Sequence, residues 1–435
     1  MRVAFCTLGC KVNFYETEKM MTAFAGHGFE VVKEQDSADI YVINTCTVTN
    51  MADRKSRQMI HRGKKKNPNC LVVAVGCYAQ SDGEKLKEDA GIDLVLNNQE
   101  KESIVEHVMA YLDEQGSLQE ETCLPEQMEY YFVHERTRAF IKVQNGCNQF
   151  CTYCIIPYVR GKLTSYPAEQ VIEEIRGLVK KGFREFVITG IHLSSYGVDF
   201  SEAKNFTELE GKPLLALLKE IAEIEGVERL RLGSLEPRII TETFLKELVE
   251  NKKVCPHFHL SLQSGCDATL ARMNRHYTTA QYEETCNLLR KYFDNPAITT
   301  DVIVGFPGET EEEFEETKKY LQRICLAQMH IFKYSKRDGT KAAVMENQVP
   351  DECKAKRSEE LLALNDALQR KYMDSFLGKT ERVLFEEMVT VCGKEYLAGH
   401  NERYVKIAVT AEEAREKGYR ENEIYPVEVR HVMKK

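Results

Sequence analysis

Over about the first 110 residues, short apolar runs alternate with segments in which apolar residues recur at helical spacing. The runs are rich in Val, Ile and Phe and are bounded by turn-forming residues, which is typical of strands. Because strands that alternate with helices usually pair in parallel, this region predicts a small doubly wound parallel sheet. The predicted strands are residues 2–7, 29–33, 40–44, 71–76 and 94–96.

A second alternating region follows, from about residue 137 to residue 334. Helical patterns at 168–181, 213–225 and 280–292 lie between its apolar runs. Six strand–helix units are too few for a closed eight-stranded barrel and favour an open partial (β/α)6 barrel. The predicted strands are residues 140–143, 186–189, 229–232, 258–262, 298–304 and 329–334.

The last part of the chain has a different pattern. A helical stretch at 352–375 precedes short β-rich runs, which predict a small β-barrel. An acidic, irregular stretch at 113–128 predicts a linker. The predicted fold class is therefore α/β, with a doubly wound domain at 1–125, a partial barrel at 133–365 and a small β-barrel at 370–435. The β-rich runs are residues 380–385, 396–400, 404–409 and 424–429.

Composition narrows the setting in which the chain works. The 435 residues are 43% hydrophobic and carry a formal net charge of -9, so the total charge does not indicate nucleic-acid binding. The longest apolar run, 71–75, is too short to span a bilayer, and the first residues lack the regions of a signal peptide. Fifteen unevenly spaced cysteines favour a reducing compartment and metal or redox chemistry over a disulfide framework. We therefore expect a cytoplasmic protein without membrane attachment.

The most specific chemical pattern is a C-x3-C-x2-C run formed by Cys147, Cys151 and Cys154. Three thiolates bind three irons of a four-iron cubane cluster and leave one iron open to a small molecule. The run follows the first strand of the predicted barrel, at the end where βα barrels carry their chemistry. A zinc knuckle and three core cysteines are the alternatives, although a structural zinc site normally has four protein ligands.

Three further cysteines each follow a predicted strand of the first domain. They are Cys10, Cys46 and Cys77. The carboxyl ends of parallel strands meet at one edge of a sheet, so these cysteines could converge in space. The alternative is that they are buried structural residues, since cysteine is common in protein cores. We assign no role to the nine others, which are Cys6, Cys70, Cys123, Cys255, Cys266, Cys286, Cys325, Cys353 and Cys392.

Together, these motifs resemble two nested families. The cysteine triplet, Tyr153 before its last cysteine and the Ile-Ile-Pro segment at 155–157 resemble the radical S-adenosylmethionine enzymes. The order and spacing of all six cysteines, with a β-rich end similar to a TRAM RNA-binding domain, resemble the methylthiotransferase family over nearly the whole chain.

The resemblance implies two [4Fe-4S] clusters and S-adenosyl-L-methionine as cofactors. Cys10, Cys46 and Cys77 would hold an auxiliary cluster, and Cys147, Cys151 and Cys154 the radical cluster. No further catalytic residue is implied. Segments 7–13 and 141–147 are most similar to the MtaB type, which converts N6-threonylcarbamoyladenosine at position 37 of tRNA into its 2-methylthio derivative.

The ends of the barrel strands supply candidate residues for S-adenosylmethionine. The strongest segment, 302–310, resembles a G-x-I-x-G-x-P-G-E stretch that lines the adenine site of radical enzymes; its structural alternative is a tight turn before a helix capped by Thr310 and Glu313. For Glu236, Gln263 and Arg275, a salt bridge at the barrel rim is the alternative to cofactor contact. His192 could touch substrate or be a satisfied loop histidine. The candidates are Tyr153, Gly190, Ser234, Glu236, Gln263, Arg275, Val304 and Gly305.

Basic residues suggest where RNA could bind. After Arg160 and Gly161, members of the family often continue with arginines, whereas this chain has Lys162-Leu163-Thr164-Ser165; Arg160 and Lys162 remain candidate charge partners for cofactor or RNA. A basic run also follows the Cys46 motif and could grip phosphates, or simply be a solvated helix face. Its members are Arg54, Lys55, Arg57, Arg62, Lys64, Lys65 and Lys66.

The resemblance also implies partners and leaves rivals. We expect a monomer that acts on a tRNA anticodon stem-loop and receives electrons from a flavodoxin-type protein. Rival functions are methylthiolation of N6-isopentenyladenosine in tRNA and of an aspartate in a ribosomal protein. A non-catalytic iron–sulfur protein that senses or binds RNA is a third, from another class, although it would not need the cofactor segments.

Overall fold

The computed structural model describes residues 1–89, 91–116 and 137–431. These residues form two compact units. Unit 1 contains the described residues up to 116 together with Gly146–Lys162 and Ser335–Ala343, and unit 2 contains residues 137–145, Leu163–Tyr334 and 344–431. Residues 117–128 of the predicted linker, Cys123 among them, lie outside the described residues, whereas the first two residues of that stretch are helical and end the helix Ile104–Glu114. None of the helices in the described ranges is long and apolar enough to cross a membrane.

Unit 1 is built on a five-stranded sheet in which every neighbouring pair is parallel, in the order β2-β1-β3-β4-β5. The central strands are buried on both faces, which explains their continuous apolar sequences. The doubly wound sheet predicted from the sequence is confirmed. The strands are β1 (Arg2–Thr7), β2 (Glu30–Val32), β3 (Ile40–Thr45), β4 (Leu71–Gly76) and β5 (Leu94–Val95), and the helices are α1 (Lys11–Gly26), α2 (Asn50–Lys66), α3 (Cys77–Lys87), α4 (Ile104–Glu114) and α5 (Ile156–Arg160).

The segment Ser335–Ala343 joins unit 1 through a buried ion pair. The Arg337 guanidinium donates to the Asp53 carboxylate at 2.6 Å and to the Thr47 hydroxyl at 3.1 Å. The Ser335 hydroxyl accepts from the backbone of Asn50 at 2.9 Å. These contacts fix the segment against the start of α2, directly after the loop that carries Cys46.

The part of unit 2 that precedes residue 334 contains two four-stranded sheets, ordered β7-β6-β8-β9 and β10-β11-β12-β13. Only Gly233 separates β9 from β10, so one strand path pairs first with β8 and then with β11. Apart from the short antiparallel β7, all the pairings are parallel, and the predicted partial barrel is confirmed. The strands are β6 (Arg138–Asn145), β7 (Thr164–Ser165), β8 (Glu185–Gly190), β9 (Arg229–Leu232), β10 (Ser234–Leu235), β11 (His257–Leu260), β12 (Ala297–Val304) and β13 (Gln328–Lys333).

Helices lie between these strands, as the helical spacing predicts. Their buried residues form apolar stripes, such as Val171, Ile175 and Leu178 of the first one, which pack towards the sheet. The helices of this part are α6 (Ala168–Lys180), α7 (Lys212–Ala222), α8 (Glu242–Leu248), α9 (Asp267–Arg272), α10 (Thr279–Tyr292), α11 (Glu311–Ile324) and α12 (Asp351–Asp374).

The C-terminal part of unit 2 is an antiparallel sheet in the order β16-β15-β14-β17, consistent with the predicted small β-barrel. A register shift between Phe385 and Glu387 bends β14, which helps the sheet to curl. Phe385, Leu397 and Val427 lie in its core. Its elements are β14 (Thr380–Val391), β15 (Lys394–Asn401), β16 (Lys406–Thr410), α13 (Ala411–Lys417) and β17 (Ile424–Glu428).

A buried polar layer connects this small sheet to the partial barrel. Arg229 and Arg231, each 1% exposed, both pair with Glu185 of β8. Arg229 also donates to the backbone carbonyl of Arg382, and Arg231 to that of Glu402 at 2.8 Å. Burial by itself would raise the pKa of Glu185, but the two arginines hold it below its ordinary value. These buried ion pairs and hydrogen bonds give Arg229 and Arg231 of β9 a structural role.

Candidate functional site

The three N-terminal cysteines lie just beyond the ends of three neighbouring strands, and we call them the dispersed cysteines (Cys10, Cys46 and Cys77). Cys10 precedes α1, Cys46 follows β3, and Cys77 begins α3 after β4. The strand register places Thr7 beside Asn44, and Thr45 beside Gly76, so the three loops leave the sheet at one edge. The convergence predicted from the topology is therefore realised in the backbone.

The loops approach one another closely. Gly9 has φ +104°, and a Cβ atom there would lie 2.9 Å from both Cβ and Sγ of Cys46. Only glycine allows the backbone before Cys10 to lie against the Cys46 side chain. Burial raises the pKa of the Cys46 thiol to about 11, the Val48 amide opposes this, and the charges of Cys77 and Cys10 add to it. The three thiols are thus close enough to influence one another.

The side chain of one asparagine bonds the backbone of two of these loops and so holds them together. The buried Asn13 side chain donates to the Leu8 carbonyl at 2.7 Å and to the Thr45 carbonyl at 3.0 Å. Gly76, which precedes Cys77, has φ +97°, and a Cβ atom there would lie 2.5 Å from the Thr45 carbonyl oxygen. The edge is therefore a packed junction in which a larger residue at either glycine would move a cysteine.

The other three cysteines, which we call the loop cysteines (Cys147, Cys151 and Cys154), occupy one segment directly after β6. All three are partly exposed. The amide of Cys147 donates to the Gly161 carbonyl at 3.3 Å, which closes the base of the loop, and the amide of Cys154 donates to the Cys151 carbonyl at 3.0 Å. Gly146 has φ +68°, and a Cβ atom there would overlap the Lys162 carbonyl. A short closed loop thus presents three thiols.

Both sets of cysteines belong to unit 1. Ile155 and Val159, which follow the loop cysteines, pack against Cys77. The side chain of Asn98 donates to the Val159 carbonyl at 2.7 Å. The sequence predicts Arg160 as a charge partner for cofactor or RNA; its guanidinium is instead buried and bound to Glu16, at 2.8 Å, and to Asn13 of α1. The sequence does not indicate this structural role of Arg160, because only the fold brings α1 next to residue 160.

The donor chemistry of each set fits an iron–sulfur cluster. Thiolates are the usual protein ligands of these clusters, and a set of three can hold a cubane while leaving one iron open. Glycines with a positive φ precede cysteines in both sets: Gly9 and Gly76 in the dispersed set, and Gly146 in the loop set. Either set therefore offers the ligands that such a cluster needs.

In unit 2, several of the predicted cofactor residues lie where the barrel strands end. The hydroxyls of Ser234 and Ser261 are 3.0 Å apart. Glu236, which is buried, pairs with the Arg238 guanidinium at 2.8 Å, as the rim salt-bridge alternative predicts. Arg275 donates to the Tyr277 hydroxyl at 2.9 Å. These contacts hold the side chains in fixed positions along the rim.

The segment after β12 forms the tight turn that its sequence predicts. Gly305 has φ +70°, and its amide donates to the Glu309 carboxylate at 3.0 Å. Glu309 pairs with Arg357 at 2.7 Å, and its pKa is raised because the carboxyl group is buried. Thr310 and Glu313 form a capping box at the start of α11. Val304, just before Gly305, is buried.

Of two more candidates, Gln263 has an unusual backbone conformation and Gly190 is closely packed. Gln263 has φ +73°, and its amide donates to the Asp301 carbonyl at 2.9 Å, which extends the pairing of β11 with β12. A Cβ atom at Gly190 would lie 2.9 Å from Oε1 of Gln144, which accepts from the His192 amide at 2.7 Å. Tyr153 lies in unit 1, between two loop cysteines.

His192 is not a fully satisfied loop histidine, because only one of its ring nitrogens has a hydrogen-bond partner among the described residues. Its Nδ1 pairs with the Ser195 hydroxyl at 2.6 Å, while its buried Nε2 has no hydrogen-bond partner among the described residues. Burial, followed by the charges of Arg275 and Arg238, lowers the pKa of His192 to about 3, so the ring is neutral at physiological pH. A neutral ring with an open nitrogen is suited to contact a bound molecule.

A cluster of three polar side chains, which no sequence motif indicates, lies on adjacent strands of the barrel. Ligand atoms of His259, Asp301 and His330 all lie within 4.8 Å of one another. His259 bonds Thr299 through Nδ1 at 3.0 Å and Asp301 through Nε2 at 3.3 Å. The residues come from β11, β12 and β13, so only the register of these strands brings them together.

The basic run lies on α2, and the structure divides its members into two groups. Arg57 donates to the Tyr78 hydroxyl at 2.7 Å, Arg62 pairs with Glu34, Lys64 pairs with Asp93 at 2.6 Å, and Lys66 donates to the Glu34 carbonyl. Arg54, Lys55 and Lys65 are exposed and make no ion pair with any residue that the structure describes. These three are the charges most available to a partner.

Comparisons with known proteins agree with this architecture. Residues 141–321 match the radical SAM superfamily, and residues 2–97 match a family described as uncharacterized protein family UPF0004. The radical S-adenosylmethionine methyltransferase TsrM from Kitasatospora setae has a similar fold, with a TM-score of 0.52 and 16% identity over 79% of this chain and 77% of that one. The radical enzyme OxsB matches with a TM-score of 0.51 and 11% identity over 94% of this chain and 64% of its own. The chain is thus a radical S-adenosylmethionine enzyme, a class that uses S-adenosylmethionine and a [4Fe-4S] cluster.

Curated relatives narrow the class to a family. The threonylcarbamoyladenosine tRNA methylthiotransferases MtaB of Bacillus subtilis and Aquifex aeolicus are 39% and 40% identical over 93% and 94% of this chain, and over 89% and 98% of their own lengths. A tRNA-2-methylthio-N(6)-dimethylallyladenosine synthase of Acetivibrio thermocellus is 33% identical over 87% of this chain and 79% of its own. The chain therefore belongs to the radical S-adenosylmethionine methylthiotransferase family.

Proposed function

We propose that this enzyme methylthiolates C2 of N6-threonylcarbamoyladenosine at position 37 of tRNA, with two [4Fe-4S] clusters. The observation that carries the proposal is that one compact unit holds two separate sets of three cysteines, one dispersed and one in a loop. A radical enzyme needs only one such set to cleave S-adenosylmethionine. The second set, the dispersed cysteines, therefore has another role, and we assign to it the supply of the sulfur atom.

The two sets have different roles in this proposal. The loop cysteines would hold the cluster whose chemistry is reductive cleavage of S-adenosylmethionine, and the dispersed cysteines would hold the auxiliary cluster as the source of sulfur. The C2–H bond of adenine is not acidic, so side-chain acid–base chemistry does not suit it and the cofactors carry the reaction. The chain's own contribution is to bind the cofactors, orient the base and exclude water.

Residues at the strand ends would hold S-adenosylmethionine. Gly305, against which the Lys354 side chain packs, would contribute through its backbone, and the hydroxyl of Ser234 and the rim residues Gln263 and Arg275 offer hydrogen-bonding groups. Glu236 is tied to Arg238, so its contribution would be to orient that guanidinium. Tyr153, Gly190 and Val304 complete the proposed set through their positions in the family motifs.

The proposed substrate is an anticodon stem-loop. A base in a single-stranded loop leaves its stack more easily than one in a duplex. The exposed cations Arg54, Lys55 and Lys65 on α2 would contact the phosphates of the stem, and the C-terminal antiparallel sheet would act as a TRAM-type RNA-binding domain. A flavodoxin-type protein would supply single electrons.

The relatives support this choice of nucleoside. Four relatives named for threonylcarbamoyladenosine are 35–40% identical over 92–94% of the chain, whereas four named for dimethylallyladenosine are 33–35% identical over 87–88%. The N6 substituents differ sharply, because one carries a carboxylate and a hydroxyl and the other is apolar. A single comparison of substrates can therefore separate the two functions.

The test is an anaerobic reaction of reconstituted enzyme with dithionite, S-adenosylmethionine and tRNA that bears one or the other nucleoside. Digested tRNA is analysed by mass spectrometry, and 5′-deoxyadenosine is measured in parallel. We expect 2-methylthio-N6-threonylcarbamoyladenosine only, with no product from Cys147→Ala or Cys46→Ala. Product from isopentenyladenosine alone would replace the proposed substrate with that nucleoside.

Two other outcomes would point to the remaining rivals. Cleavage of S-adenosylmethionine without any modified tRNA would direct attention to a ribosomal-protein aspartate. No cleavage at all, by a reconstituted protein that still binds tRNA, would support a non-catalytic iron–sulfur RNA-binding protein. Either result would overturn the proposed tRNA reaction.

A further inference from the structure

A buried charged network lies next to the dispersed cysteines and has no role in the proposed chemistry. Its centre is Glu16 of α1, which is only partly exposed, with its side chain 11% accessible. Lys101 donates to one carboxylate oxygen at 2.8 Å, and Arg160 donates to the other, also at 2.8 Å. The Lys101 side chain is 5% exposed and that of Arg160 is 1% exposed. A carboxylate between two cations is therefore enclosed within unit 1.

The network is connected to the loops that carry the dispersed cysteines. Arg160 also bonds the Asn13 side chain, which holds the Leu8 and Thr45 carbonyls next to Cys10 and Cys46. Lys101 also donates to the side chain of Asn44 at 3.3 Å, in the strand that leads to Cys46. The charges are thus bonded to Asn13 and Asn44, which lie three residues from Cys10 and two residues from Cys46.

Two buried cations share one carboxylate in this network, and a buried cation is stabilised by an anion that lies close by. The dispersed cysteines are such anions when they are ionised, as they are when they bind iron. The charge of Cys77 acts on both Lys101 and Arg160, that of Cys10 acts on Arg160, and that of Arg160 acts in turn on Cys46.

A cluster on the dispersed cysteines would place negative charge beside these cations. An oxidised cubane core carries two positive charges and three thiolates carry three negative ones, so the site bears one net negative charge and reduction adds a second. Buried charges are screened much less than exposed ones, so Lys101 and Arg160 should favour the reduced state and Glu16 should oppose it.

From this juxtaposition we propose that Lys101, Glu16 and Arg160 are positioning residues that set the reduction potential of the cluster on Cys10, Cys46 and Cys77. The inference rests on the proposed function, because it requires an auxiliary cluster at those cysteines. It predicts that the sign of the charge removed from the network determines the direction in which the potential moves.

The experiment uses the full-length protein with Cys147, Cys151 and Cys154 replaced by alanine, so that only the auxiliary cluster remains. The cluster is titrated with dithionite in the presence of redox mediators and followed by electron paramagnetic resonance. Lys101→Met should lower the midpoint potential, because a cation is lost, and Glu16→Gln should raise it, because an anion is lost. We expect the ratio of reduced to oxidised cluster at fixed potential to change about tenfold in each case, which corresponds to about 59 mV for a one-electron couple.

Two controls separate charge from damage. Lys101→Arg keeps the charge and should restore the wild-type potential. Lys87→Met removes a cation from the exposed end of α3, where solvent screens it, and should leave the potential unchanged. Shifts in the same direction for Lys101→Met and Glu16→Gln, or no shift with normal iron content, would overturn the inference.

The outcome also distinguishes this inference from the proposed function. If the protein without loop cysteines binds no iron, the assignment of the dispersed cysteines is wrong, and this inference falls with it. If it binds iron but the potentials do not move, only the inference on the network is wrong. If Lys101→Met alone fails to hold iron, Glu16→Gln decides, because a raised potential supports the proposal and an unchanged or lowered one refutes it.

Discussion

The dispersed cysteines and the loop cysteines occupy the same unit, but the chain brings each set together in a different way. The loop cysteines lie within eight residues of one another, so local closure of one segment is enough to gather them. The dispersed cysteines span residues 10 to 77 and meet only because three parallel strands end at one edge. The first set should therefore tolerate disturbance of the sheet edge, whereas the second should not.

The largest expected effect comes from matched substitutions of glycine. Gly9→Ala places a methyl group against Cys46, at a positive φ that residues other than glycine rarely adopt. Gly146→Ala, also at a positive φ, places a methyl group against the Lys162 carbonyl at the base of the loop. We expect Gly9→Ala to lose about half of the iron and all methylthiolated product while it still yields 5′-deoxyadenosine. Gly146→Ala should lose 5′-deoxyadenosine as well. Iron content, 5′-deoxyadenosine and modified nucleosides are measured for each variant.

Gly28→Ala is the control for these substitutions. Gly28 also has a positive φ, +81°, but a Cβ atom there would meet no atom within 4 Å. It should cost about 1–3 kcal/mol of stability from backbone strain and leave both iron and product unchanged. If Gly9→Ala and Gly146→Ala gave the same pattern of losses, the two sets of cysteines would not be functionally separate.

The next largest effect should be on stability. Arg160 belongs to the segment of the loop cysteines but bonds Glu16 of α1, so Arg160→Gln breaks a buried ion pair and leaves a buried carboxylate with one cation fewer. We expect a loss of about 3–5 kcal/mol in the free energy of unfolding of unit 1, measured by urea denaturation of the reconstituted protein under anaerobic conditions.

An exposed ion pair provides the comparison for Arg160. Lys87→Gln breaks the pair with Glu84, whose side chain is 91% exposed, and should cost at most about 1 kcal/mol. Equal costs for the two variants would contradict the description of Arg160 as a buried link between the two sets of cysteines.

A smaller effect is expected on tRNA binding. Replacing Arg54, Lys55 and Lys65 of α2 by glutamate should weaken tRNA binding about tenfold and reduce the slope of log affinity against log salt by about 0.7–0.9 per lost phosphate contact. Cleavage of S-adenosylmethionine without tRNA should not change, because neither set of cysteines is altered. Fluorescence anisotropy with labelled tRNA measures the affinity.

The matched variant replaces Lys204, Lys212 and Lys252 of unit 2, which are also exposed, so the change in net charge is identical. It should retain wild-type affinity and salt dependence. A similar loss of affinity in both variants would show that total charge, and not α2, governs binding.

The smallest effect is expected at a cysteine outside both sets. Cys286 of α10 is fully buried, and burial raises the pKa of its thiol to about 12, so it stays protonated. Cys286→Ala should leave iron content and 5′-deoxyadenosine formation unchanged. Loss of iron in this variant would mean that the six cysteines are not the complete set of ligands.

Much of the fold could be predicted because local pattern and global topology agree. The predicted strand at 2–7 matches β1, and the predicted helix at 168–181 matches α6 to within one residue. The convergence of Cys10, Cys46 and Cys77 needed only the rule that parallel strands end at one edge. α13 was not predicted, because its polar sequence carries no clear apolar stripe.

The contacts of charged side chains could not be predicted, because they depend on which segments meet in space. Arg229 and Arg231 alternate with leucines and look solvent-facing in sequence, yet both are buried against Glu185 and the C-terminal sheet. Arg160 looks available, but α1 supplies Glu16 as its partner. The open Nε2 of His192 likewise results from its loop and not from a motif.

The central claim is that the six cysteines form two separate cluster sites with different duties. The most direct measurement compares iron content and 5′-deoxyadenosine formation in two reconstituted proteins, one with all three dispersed cysteines replaced by alanine and the other with all three loop cysteines replaced. We predict about four irons in each, against about eight in the unaltered enzyme, and cleavage of S-adenosylmethionine only when the loop cysteines remain. Loss of all iron from either protein, or cleavage by the protein without loop cysteines, would contradict the claim.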